Sequence, residues 1–261
     1  MPTVAVCVKY GLDVEQLRAD RETGRVITEG VPGRTNELDK NAIEEAVKLK
    51  EALGWKAIAI TMGPDEAKKA LREALAMGVD EAYLVCDEAF AGLDTLGTAT
   101  VLAKAIEAAG GADLVICGEV SLDSFSGQVG PKLAEALGWP CMTCVRRLEV
   151  KDGRVVAERT FEDRYEEVEA PLPLVVTVTR EVNTPRIPSL MAIMKAHKKP
   201  IKALKAADLG LSAEELAAMK AHGLKEVVMP LVERKKVQIT GESPEEIAER
   251  LIKALEEEGV I

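Results

Sequence analysis

Between Ala112 and Pro140 the chain reads ADLVICGEVSLDSFSGQVGPKLAEALGWP, and this stretch concentrates the groups best suited to holding an anion. Ser121, Ser124, Ser126 and Gln128 are short side-chain donors, Asp123 can accept from a ribose hydroxyl, and Gly127 and Gly130 allow close approach to the backbone. Phe125 and Val129 lie in the same run and count with it as candidate contacts. A helix opening after this loop would add its unpaired N–H groups and the positive end of its dipole. A nucleotide phosphate is the natural guest. The same residues also suit an ordinary strand-to-helix turn, because neither a G-x-G-x-x-G nor a G-x-x-x-x-G-K-[ST] spacing is present. No residue stands out as catalytic: the only histidines are His197 and His222, and neither adjoins a nucleophile.

Such a loop needs a strand before it and a helix after it. Leu114 to Cys117 is a short apolar run that stops at Gly118, and Leu133 and Leu137 share one helical face. The same rhythm occurs three times earlier. TVAVCV at 3–8 reads as a strand buried on both faces, ending in Cys7, Val8 and Lys9, and a helix with Leu38, Ala42, Ile43, Ala46, Val47 and Leu49 begins near Asn36 and Asp39. Asn36 is either its cap or a ligand contact. A strand at 57–62 ends in Met62 and Gly63 before a helix opened by Pro64 and Asp65, and a strand at 83–86 leads to a helix started by Asp94 and Thr95. Four strands alternating with helices predict an α/β fold with a doubly wound, mostly parallel sheet, whose ligands sit outside the carboxyl ends of the strands. Lys9, Asn36, Met62, Gly63, the 87–98 loop and the 118–130 loop all fall on that edge. From Pro140 the pattern changes to period two, which predicts an antiparallel hairpin over 141–165, followed by a buried strand at 174–178.

Composition excludes several classes. A net charge of −10 and 3% aromatic residues argue against phosphate-backbone binding and base stacking, so no nucleic-acid partner is expected. No apolar run approaches membrane-spanning length and the first residues lack a signal-like pattern, which predicts a cytoplasmic protein without membrane insertion. Five cysteines in such a chain predict reduced, mostly buried thiols. Cys141 and Cys144 form a lone C-x-x-C with no second pair to complete a zinc site, so they are expected in the core and no metal is expected.

The segment REVNTPRIPSLMAIMKAHKKP at 180–200 strongly resembles the signature of the electron transfer flavoprotein β subunit. The resemblance extends to VKY at 8–10, the helix from Asn36 to Lys50, ITMGP at 60–64, AFAGLDTLGTAT at 89–100 and the loop at 118–131. It implies a Rossmann-like, adenine-nucleotide-binding domain over 1–185, with a partner-recognition loop and a C-terminal helical arm over 186–261 that contacts an α subunit. It further implies an FAD in the α subunit and, in this subunit, either AMP or a second FAD. The segments at 60–64, 87–96 and 121–131 look more like the bifurcating, Fix-type branch, which implies FAD here and NADH-dependent electron bifurcation toward a quinone or ferredoxin system. The alternative is a simple carrier between acyl-CoA-type dehydrogenases and a quinone oxidoreductase, with structural AMP. A proline common near Leu12 in the family is missing. The loop after Arg186 is expected to dock dehydrogenase or quinone-reductase partners through Leu190, Met191, Ile193 and Met194, beside the basic Lys195.

Overall fold

Runs of apolar residues long enough to be buried on both faces of a sheet set the architecture. The computed structural model describes residues 1–220, 226–230 and 234–261, so that His222 lies outside the described residues. In chain order the elements are β1 (Thr3–Cys7), β2 (Tyr10–Leu12), β3 (Arg18–Ala19), β4 (Val26–Ile27), β5 (Gly33–Thr35), α1 (Glu37–Leu53), β6 (Lys56–Met62), α2 (Lys68–Met77), β7 (Glu81–Val85) and α3 (Thr95–Ala108). There follow β8 (Leu114–Gly118), α4 (Val129–Leu137), β9 (Cys141–Lys151), β10 (Arg154–Thr160), β11 (Tyr165–Pro171), β12 (Leu174–Val178), α5 (Leu190–Lys198), β13 (Ile201–Leu204), α6 (Ala213–Ala218) and α7 (Pro244–Glu257).

The larger of two compact units comprises Met1–Arg18 and Ile27–Glu226. It is built on a nine-stranded sheet in the order β11-β10-β9-β12-β8-β1-β6-β7-β13. Every neighbouring pair from β9 to β13 is parallel, and β9, β10 and β11 form an antiparallel meander. The α/β, doubly wound reading of the sequence therefore holds. Alternate residues of the central strands face two apolar layers: Val4, Val6 and Val8 pack with α1 and α2, while Ala5 and Cys7 pack with α3 and α4. From β1 the chain first winds one way to β6 and β7, then crosses to β8 on the other side of β1. Strand order reverses between β1 and β8, and their carboxyl ends part there to leave a crevice.

Three features differ from the sequence reading. The period-two region holds three strands, because the turn at 161–164 starts β11 instead of ending the sheet. β13 closes the far edge by pairing with β7; IKAL is too short and too mixed to signal a strand by itself. Cys141 is exposed, and Cys144 is only half-buried at φ +58, where the pairing of β9 with β12 slips by a residue. A β-bulge breaks the alternation that core burial of both thiols required. Cys7 and Cys117 are buried as expected.

The smaller unit comprises Ala19–Val26 and Val227–Ile261. Within it, Arg25 bridges antiparallel to Val228, and α7 starts with Ser243 accepting from Glu246 N at 3.2 Å and Pro244 in its first turn. α7 leaves Ile247, Leu251 and Ile252 exposed along one stripe.

Candidate functional site

At the crevice between β1 and β8 lies a cleft of about 340 Å³. Its floor is Cys7, Val8 and Lys9 with Cys117 and Gly118; Asn36 and Asp39 of the α1 start, Met62, and Asp94 and Thr95 of the α3 start supply the walls. Ser121, Ser124, Ser126, Gly127, Gln128, Val129 and Gly130 form the remaining side. The structure thus brings together most of the residues singled out from the sequence. Gly63, Asp123 and Phe125 stand apart: Gly63 N donates to Val85 O at the carboxyl end of β7, Asp123 lines a smaller hollow beside Lys9, and Phe125 is 70% exposed with φ +49.

Three polar ties hold the cleft in shape. Asp39 Oδ2 accepts from Lys9 N at 2.7 Å and its Oδ1 from Gly118 N at 3.1 Å, so one carboxylate joins the ends of the two central strands. Burial pushes this carboxyl up to about 6, against the pull of the hydrogen bonds from Lys9 N, Asn36 and Gly118 N and the Lys9 charge. Asn36 occupies the cap position of α1 without capping it. Its amide instead donates to Val120 O at 2.9 Å and accepts from Leu122 N at 3.1 Å, so it reads the loop backbone from across the fold. The third tie is the ion pair of Lys9 Nζ with Asp123 Oδ1 at 2.8 Å, joined by Ser121 Oγ at 3.3 Å. Burial raises the Asp123 carboxyl, but the bonds from Lys9 and Ser121 outweigh it and hold the group below its usual value. An Asp123 held this way anchors the loop to β1, and a ribose contact from it would compete with Lys9.

The mouth is lined by donors. Thr95 Oγ1 donates to Gln128 Oε1 at 2.9 Å, and Lys132 Nζ reaches both, at 2.6 and 2.7 Å. Asp94 Oδ1 accepts from Leu96 N and Gly97 N, which assigns that oxygen to capping α3. Helix α4 starts at Val129 with no side-chain cap, and Val129 and Gly130 of its first turn line the cleft, while Pro131 has no N–H to offer. Gly130 lines the cleft and also has a packing role: a Cβ there would sit 2.2 Å from Thr177 Cγ2, so glycine lets α4 lie against β12.

Several cleft residues escape a reading of the sequence. Leu93, Thr98, Leu102, Cys117, Glu119 and Val120 also line it. Thr98 lies one turn after Thr95, so helical spacing would have found it. Glu119 is raised by burial and by the charge of Glu181. Cys117 is visible as a neighbour of Cys7 only through the strand register. Among the described residues no group of three or more acidic, histidine or cysteine side chains is arranged to hold a metal.

On the α2 side, α5 buries Ala196 and receives Arg72 Nη1 on Ala196 O at 2.6 Å and Lys199 O at 2.5 Å. Leu190 is 73% exposed, and Ile187, Met191, Ile193, Met194 and Lys195 are exposed around it. Arg186 is committed within the chain: its guanidinium bonds Glu44 at 2.8 and 3.0 Å and Glu51 at 2.6 and 2.9 Å. Bonds to Glu51 and Glu44 raise it above its ordinary value. Arg186 thus pins the segment to α1 and sets where the apolar residues begin.

A doubly wound sheet with hydroxyls and an uncapped helix start at its switch point is the arrangement in which open α/β proteins place their ligands. The electron transfer flavoprotein domain matches residues 23–209, and the chain belongs to the electron transfer flavoprotein family as a β-subunit-type member with a role in electron transfer. It is 46% identical over 214 residues to the electron transfer flavoprotein subunit beta of Thermoanaerobacterium thermosaccharolyticum, covering 82% of each chain. It is 38% identical over 261 residues, 99% of each chain, to the caffeyl-CoA reductase-Etf complex subunit CarD of Acetobacterium woodii. The electron transfer flavoprotein subunit beta of Bacillus subtilis is 38% identical over 98% of each chain. No helix among the described residues is long and apolar enough to cross a membrane.

Proposed function

We propose that this chain is the β subunit of a cytoplasmic αβ electron transfer flavoprotein and that its cleft holds an adenine nucleotide, FAD in the bifurcating reading. The observation that carries this is the convergence of the uncapped α4 start, Ser121, Ser124, Ser126 and Thr95 on one cleft at the sheet's switch point, with Lys132 bonded to Thr95 at its edge. This donor set fits a phosphate or diphosphate: hydroxyls and N–H groups can surround the oxygens, and Lys132 and Lys9 offset their charge. Cys7, Val8 and Met62 offer an apolar wall to adenine. Thr95, Thr98 and Gln128, which also line the cleft, are the polar groups that would hold a ribityl chain. When bound, FAD supplies hydride acceptance from NADH and single-electron transfer, and the protein contributes orientation and electrostatics.

One observation favours the second reading, a carrier with structural AMP: at about 340 Å³ the cleft lies at the small end of the roughly 300–1,000 Å³ range of ligand sites, enough for adenosine and phosphate. Likeness to a caffeyl-CoA reductase-Etf subunit over nearly the whole chain supports a partner that handles a CoA thioester. The exposed Leu190, Met191, Ile193 and Met194 are its docking patch, an apolar centre with adaptable sulfur at its rim. The α7 stripe is the contact for the α subunit. Cofactor analysis of the purified αβ complex tests the reading: two FAD per heterodimer, half of the flavin absorbance bleached by NADH, is the bifurcating result. One FAD with one AMP, and a flavin spectrum indifferent to NADH, selects the carrier.

A further inference from the structure

Beside the groups assigned to nucleotide, the cleft floor contains two thiols. Cys7 ends β1, Cys117 lies in β8, and the parallel register sets them directly opposite each other. Opposite residues of adjacent strands project to the same face, here the α3 and α4 layer, to which both belong. Their Cα atoms are about one strand spacing apart, ~5 Å, inside the roughly 4.4–6.8 Å that a disulfide spans. They are 7% and 5% exposed, and that residual exposure opens into the cleft. A hydrogen bond with Cys7, then burial, pushes the Cys117 thiol up.

We propose that Cys7 and Cys117 form a reversible dithiol–disulfide pair, a redox modification site in the floor of the cleft, with a low-molecular-weight disulfide as its oxidant. The chemistry balances as two exchanges. Cys7 Sγ loses its proton and attacks one sulfur of the oxidant, whose S–S bond breaks to release one thiolate. Cys117, held as the thiol until then, loses its proton and attacks Cys7 Sγ; the mixed S–S bond breaks and the second thiolate leaves. The released thiolates take up the two protons, the protein pair is oxidised by two electrons and the oxidant is reduced by two. The bond fixes the ends of β1 and β8 that flank the cleft. A nucleotide placed as proposed above covers Cys7, so oxidation and occupancy compete; this last consequence alone rests on that reading.

The full-length chain carrying Cys86→Ser, Cys141→Ser and Cys144→Ser is incubated with oxidised glutathione and digested with trypsin without reduction. Expected is the peptide Met1–Lys9 joined to Ala105–Lys132, lost again on treatment with dithiothreitol, and a raised melting temperature for the oxidised chain. In a further Cys117→Ser background, glutathione should instead remain on Cys7. Two free thiols after prolonged oxidation, or glutathione on both without a joined peptide, overturn the proposal. The wild-type chain mapped in the same way guards against misfolding of the variant, and joining of Cys141 to Cys144 in place of Cys7 to Cys117 there also overturns it. Saturating AMP should slow joining by about tenfold through loss of access. Joining at an equal rate with and without AMP establishes the pair and removes the nucleotide from this part of the cleft.

Discussion

Asp39 places a carboxyl group inside the protein at the one point where β1, β8 and α1 meet, and that position makes its protonation a stability variable. Its native pKa of about 6 against 3.8 for the exposed group means that the folded chain keeps a proton which the unfolded chain gives up. The stabilisation from this proton is therefore fully present below pH 3.8 and is lost as pH rises through about 6. The difference of about 2 pH units corresponds to about 3 kcal/mol at ~1.4 kcal/mol per unit. Asp39→Asn cannot ionise, so it removes this dependence; its NH₂ faces one of the two backbone N–H groups that the carboxylate serves, a constant penalty of about 1–3 kcal/mol. Other carboxyls, such as Glu81, held down to about 2 by bonds from Lys202, Lys56 and Tyr83, slope the opposite way, but they are common to both chains and cancel in the difference. Urea unfolding of both chains from about pH 3 to about pH 8 should show the wild-type advantage shrinking by about 3 kcal/mol as pH rises. Parallel curves, or a carboxyl resonance of Asp39 titrating near 4, would refute the reasoning.

Gly130→Ala puts a methyl group where Thr177 Cγ2 would be 2.2 Å away, so α4 must shift off β12; overpacking of this kind costs about 1–3 kcal/mol, read as a lower melting temperature. Gly127→Val forces a branched residue to φ +63 beside the uncapped α4 start, and the αβ complex should purify without nucleotide in this subunit; full occupancy with normal stability would displace the phosphate from this loop. Leu190→Ala should leave the melting temperature nearly unchanged, because the side chain is 73% exposed, while weakening partner binding by about 1–3 kcal/mol in electron-transfer kinetics. A large stability loss with normal partner kinetics would make Leu190 a packing residue.

The sequence was most informative where local rules decide. Buried strands read as apolar runs, α1 showed its core face, and Asp94 before α3 and Gly138 after α4 punctuate helices as capping chemistry requires. It was least informative where a distant partner decides. The meander gained β11 because β10 offers it an edge, and IKAL became β13 because β7 does the same. The C-x-x-C stretch left the core because the pairing of β9 with β12 needs a bulge there, which no local pattern announces.

The cleft follows the same division. Its donor chemistry was legible as Ser, Thr, Gly and Gln at loop spacing, since those residue types are suited to oxygen ligands wherever they occur. Their aim was not. The loop is held by Asn36, 84 and 86 positions away from the two backbone groups it binds, and the adjoining strand end by Asp39, 79 positions from Gly118. Asn36 and Asp39 sit at the start of α1, whose apolar face is buried against β1, β6 and β8, so core packing on one side of the sheet orients a cleft loop that belongs to the other side. A residue that looks like a cap thereby acts as a loop anchor, and a glycine that lines the cleft is also a helix-packing contact. In each case the side chain answers to the nearest unsatisfied group or atom in space, and the winding of the chain through β1 and β8 determines which group that is.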